Sequence, residues 1–113
     1  MSEPDKLLPA TYHALAISLG TTIPDAAHAN GMEAIRRFLI GEITRLLDRN
    51  PSYLMHVLYR VDVDERKVKR VFAESSAAEL PGDLADLLIE RQLVKQAIRE
   101  RYRQAGHQTL SNE

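Results

Sequence analysis

The sequence predicts an all-α fold, a small bundle of four short, mostly antiparallel helices, or five if a segment near the N-terminus is also helical. Three observations lead there. Met32, Ile35, Leu39, Ile40, Ile43, Leu46 and Leu47 recur at the i, i+3, i+4, i+7 spacing of one helix face. Asn50-Pro51 and Val63-Asp64 supply paired stop and start signals between apolar segments. The 113 residues, 44% hydrophobic and 27% charged, suit one globular domain with a modest core.

The elements follow in chain order. Pro9 to Leu19, closed by Gly20, gathers Tyr12, Leu15, Ala16 and Leu19 on one side as a helix, while Leu15, Ile17 and Leu19 also alternate as a strand would. Frequent alanine and the lack of any pairing strand favour the helix. Thr21 to Asn30 reads as a linker, with a helical turn starting at Pro24. Residues 1–30 are therefore expected to be an N-terminal segment, partly helical or flexible.

Gly31 to Arg49 is the amphipathic helix described above. It ends at Asn50, because the residue before a proline is driven out of the α region. Pro51 suits the first turn of the next helix and Asn50 its N-cap. That helix, Pro51 to Val61, is apolar around most of its circumference, which marks it as central to the core.

Asp64 caps a third helix, Glu65 to Glu74, with Val63 and Val68 placed as a hydrophobic staple. Leu80-Pro81-Gly82 reads as the next break. The last helix is expected from Gly82 to Gln104, with a plausible stop at Gly106. Residues 31–104 form the expected helical core domain and 105–113 a disordered tail.

The last helix has two apolar faces. Leu84, Leu87, Leu88, Val94, Ile98 and Tyr102 make a broad stripe expected to be core. Ile89, Leu93 and Ala97 make a narrower one that calls for a partner, because three short neighbours can hardly cover both faces. Arg91 interrupts the broad stripe. It either meets a carboxylate or helix C-terminus, or lies at the margin and reaches water.

Composition removes whole classes of function. Without cysteine there are no disulfides, thiolate zinc sites or cysteine nucleophiles. A net charge of -1 provides no global attraction for nucleic acid or anionic membrane. No apolar run approaches the length of a membrane span, and Met1 to Lys6 lacks the basic start of a signal peptide, so a cytoplasmic protein that does not enter the membrane is expected.

Motifs for chemistry are equally sparse. His13, His28, His56 and His107 are too scattered for a metal site, the five glycines are isolated, and no serine lies in a nucleophile-elbow context. The expectation is no catalytic, cofactor-binding or metal-binding residue, no cofactor, and no enzymatic activity. His56 and Arg60, one turn apart, could hold an anion but read more simply as an exposed helix edge.

Two basic clusters remain. Arg60, Arg66, Lys67, Lys69 and Arg70 flank a short connector between two short helices, a loose helix-turn-helix pattern. Asp62, Asp64 and Glu65 occupy the places where a recognition helix would read bases, and they oppose docking on phosphates. Lys95, Arg99, Arg101 and Arg103 follow the acidic stretch Glu74 to Glu90, the arrangement that the helix dipole favours, and this reading is preferred over a ligand patch.

From Ile35 to Gln104 the chain resembles a family of small, uncharacterised bacterial helical proteins. The likeness rests on residues 58–65 (LYRVDVDE) with Lys67-Val68, and on residues 84–93 (LADLLIERQL) with Lys95. It implies a bacterial, cytoplasmic protein and assigns no activity. It also marks Tyr59, Arg60, Asp62, Glu90 and Arg91 as a conceivable polar network. The expected function is a non-enzymatic module that forms a homo-oligomer or docks on a protein partner. A nucleic-acid-associated protein using residues 60–70 is the alternative.

Overall fold

The computed structural model describes the backbone of residues 3–111 and the side chains of residues 6–106. Among them are six helices: α1 (Glu3–Ser18), α2 (Asp25–Ala29), α3 (Met32–Arg49), α4 (Pro51–Val61), α5 (Glu65–Glu74) and α6 (Leu80–Ser111). There are no strands among the described residues, and the all-α bundle is the observed fold. None of these helices is long and apolar enough to cross a membrane.

The middle of the chain follows its local signals closely. The Asn50 side chain accepts the Tyr53 N–H at 3.3 Å, and that of Asp64 accepts the Arg66 N–H at 2.9 Å. Each satisfies an orphan donor at a helix start. Val63 and Val68 are both buried, as the staple requires. Asp62 closes α4 with φ +67°, a left-handed conformation that Asp tolerates better than most side chains.

The ends depart from expectation. Residues 3–18 form a four-turn helix whose Tyr12, Leu15 and Ala16, with Leu19 just beyond, enter the common core, while Ile17 is 62% exposed. The helical period, not the alternating one, decides which side chains are buried. The N-terminal segment is thus part of the core expected only from residue 31 onward. It is anchored at its end by the Tyr53 hydroxyl, which donates to the Ser18 carbonyl at 3.1 Å.

The last helix also begins earlier than expected. Ser76 and Glu79 form a reciprocal capping box: the Ser76 N–H donates to Glu79 Oε1 at 3.1 Å and the Glu79 N–H to Ser76 Oγ at 3.2 Å. Pro81 and Gly82 then lie inside the first turn rather than in a break, and Pro81 stands where its missing N–H costs little. At the other end α6 runs through Ser111, past the stop expected at Gly106 and into the segment expected to be a disordered tail. Residues 112 and 113 lie outside the described residues.

α6 is the spine of the bundle. Its 32 residues span about 48 Å at the usual helical rise, against a longest molecular dimension of 55 Å. α1, α3, α4 and α5 all pack on it, α1 most extensively. Leu84, Ala85 and Leu88 are fully buried beneath them, together with Leu15, Leu39, Ile43 and Leu54.

Candidate functional site

The rotation of α6 on the bundle determines which of its faces is free. Its buried stripe is Leu84, Ala85, Leu88 and Gln92. The stripe expected to be core therefore divides. Leu84 and Leu88 are buried and Leu87 packs against the core, but Val94 is 44% exposed, Ile98 43% and Tyr102 76%. Ile89, expected at an interface, is partly buried against the core. Leu93 and Ala97 are half-buried. The freest apolar face of α6 is thus Val94, Ile98 and Tyr102, one residue per turn.

This face continues onto the corner between α4 and α5. Val94 shares an open groove with Val63, Leu87, Arg91, Asp62, Asp64 and Glu90. Next to it lies a second open groove of about 540 Å3, with Met55, Leu58, Tyr59, Val63 and Val68 as its apolar lining and Asp62, Asp64 and Glu65 among its charged residues. Tyr59 is 77% exposed there. Val94 thus joins the free face of α6 to an acidic corner, and the exposed Arg101 lies three turns from Glu90 on the same edge of the helix, whereas Arg99 and Arg103 line clefts on the α1 side.

The polar network expected here forms only in part. Arg91 Nη2 meets Asp62 Oδ2 at 3.4 Å, while the Arg91 Nε is buried without a partner among the described residues. The guanidinium therefore has a partner carboxylate at its tip and a half-buried stem, which combines the two arrangements that its position allowed. Glu90 instead joins Lys67 Nζ at 3.3 Å and ties α5 to α6. Tyr59 lines the apolar groove. Arg60 lines a separate cleft and takes no part in the pairing.

The basic 60–70 region is also divided. Lys67 is engaged by Glu90, and the Asp64 carboxylate accepts the Arg66 N–H and places a negative charge at the start of α5, where an anion would otherwise dock. Arg66, Lys69 and Arg70 stay exposed. His56 is exposed on the edge of α4. No group of three or more His, Asp or Glu side chains among the described residues is placed to hold a metal ion.

One sequence signal, the capping box at Ser76-Ala77-Ala78-Glu79, marks the early start of α6. The free face follows only from the docking of α1, which covers the Gln92 side of α6 and leaves Val94 and Ile98 open. Comparison of the chain with models of known families, with curated proteins and with solved structures finds no match in any of the three, so the reading of this surface rests on its own geometry.

Proposed function

We propose that the chain is a non-enzymatic interaction module that pairs with a second copy of itself through the Val94, Ile98 and Tyr102 face of α6. The observation that carries this reading is the continuity of that face with the acidic corner of α4 and α5. A twofold interface must be complementary to itself. Here one surface holds both halves. Arg101 of one copy faces Glu90 of the other, and the reverse contact follows by symmetry.

Spacing supports the antiparallel sense. Glu90 and Arg101 are eleven residues apart, three helical turns, so both lie on one edge of the face. Antiparallel pairing about a point between them sets Glu90 against Arg101 twice, whereas parallel pairing would set like charges together.

Light scattering on the full chain tests this. The expected result is twice the 12.8 kDa chain mass, with dissociation favoured by added salt because the complementary ends are solvent-exposed. A monomer at every concentration overturns the reading. Retention on heparin or DNA that weakens with salt, found together with a monomer, supports the nucleic-acid alternative instead.

A further inference from the structure

On the opposite side of α6 the buried stripe changes character along the helix. Ala85 and Leu88 are fully buried, and Gln92, 7% exposed, continues them. The next positions at the same three- and four-residue spacing are Lys95 and Arg99. Lys95 is half-buried and Arg99 exposed, so the stripe turns cationic as it leaves the core. Gln92, Lys95 and Arg99 of α6 line a cleft of about 250 Å3 with Arg60 of α4, and its lining contains no carboxylate.

Other features single out this cleft. Gln92 is more than nine-tenths buried as a residue and lines the cleft, with its amide the one uncharged side-chain N–H donor on the α6 wall. Arg60, Lys95 and Arg99 form no ion pair among the described residues, a state they share with other surface cations such as Arg66 and Arg70, but only here do three such cations line one cleft. The other wall is apolar, with Ile17 of α1 and Val57 of α4.

We propose that this cleft binds a small phosphate monoester with a short apolar body. Three cations without a lining carboxylate match a dianion better than a single carboxylate, and Arg60 and Arg99 provide forked donors for phosphate oxygens. Gln92 donates its amide N–H to a further oxygen. The apolar body rests on Ile17 and Val57. The cleft is too small for a large cofactor. Burial first, then the Arg91 and Arg99 charges, hold the Lys95 ammonium below its ordinary pKa, and only Asp62 opposes them. A bound dianion reverses that balance.

The test is calorimetric titration of the full chain with phenyl phosphate and, separately, inorganic phosphate. Proton-detected NMR of the lysine side chains accompanies it, since only Lys6, Lys67, Lys69 and Lys95 contribute signals. Phenyl phosphate is expected to saturate and to raise the Lys95 titration midpoint. Lys95→Gln and Arg99→Gln are each expected to weaken binding roughly tenfold or more, the scale of a lost charge-assisted hydrogen bond, while Lys69→Gln leaves it unchanged. In the unsubstituted chain, amide shifts confined to Gln92, Lys95, Arg60 and their neighbours support the site without depending on any variant. No saturation by about 10 mM phenyl phosphate, or an equal loss in Lys69→Gln, overturns the proposal. Equal affinity for inorganic phosphate overturns the apolar half of it.

Discussion

Ile98→Glu is the sharpest perturbation of the pairing face. Ile98 is 43% exposed in the single chain and makes no contribution to the buried core. Burying a whole Ile side chain is worth about 1.5–3 kcal/mol, so covering its exposed part contributes roughly 0.6–1.3 kcal/mol. A twofold interface counts the residue twice, which gives roughly 1.3–2.6 kcal/mol per dimer. That loss alone weakens association about tenfold to eightyfold. Two carboxylates brought into an apolar contact weaken it further.

The assay is light scattering across a concentration series, with circular dichroism to confirm that the fold is kept. Ile98→Glu is expected to be monomeric at concentrations where the unsubstituted chain is paired. Ile17→Glu, on α1 and 62% exposed, is the control and is expected to stay paired. Unchanged association in Ile98→Glu, or equal loss in both variants, refutes the assignment of the face. Loss of helical signal in Ile98→Glu would place the residue in the intramolecular core, also against it.

Three further outcomes test the fold. Leu88→Ala removes a side chain with no exposure at the centre of the α6 contacts and is expected to lower unfolding free energy by about 2–5 kcal/mol in urea titration; a loss below 1 kcal/mol would contradict the role of α6 as spine. Ser76→Ala breaks the capping box and is expected to cost about 1 kcal/mol, whereas no loss would show that α6 starts independently of it. Burial, against a smaller opposing effect of Arg36, holds the Tyr12 phenol above its ordinary pKa. The associated stability is complete below the unfolded-state value near pH 10 and is lost as pH rises through the folded value, so melting temperature should fall more steeply above pH 10 in the native chain than in Tyr12→Phe.

The elements most legible in the sequence are those specified by neighbours in the chain. α4 and α5 begin and end where Asn50, Pro51, Asp64 and the periodic valines put them, because caps, prolines and staples act within a single turn. The face of α6 was less legible. Both of its apolar stripes satisfy helical periodicity, and only the docking of α1 decides between them. Val94 and Ile98 look like core by pattern and stand open because no neighbouring helix reaches them. Arg91 was legible as a residue needing a partner, yet the partner, Asp62, depends on the left-handed turn that ends α4. Lys95 and Arg99 are legible as one basic cluster at helical spacing, but Arg60 joins them only in three dimensions.

The most extensive pairing in the bundle joins α1 to α6, helices separated by about sixty residues of chain. Loop closure of that length must precede the contact, so the bundle gains its principal seam late, however fast its local helices form. During synthesis Leu15 and Leu19 must wait for Leu84 and Leu88 to emerge before they are covered. A ribosome-bound chain ending before residue 80 would carry helices without their spine, and it is this intermediate, rather than the finished bundle, that a chaperone would be expected to hold.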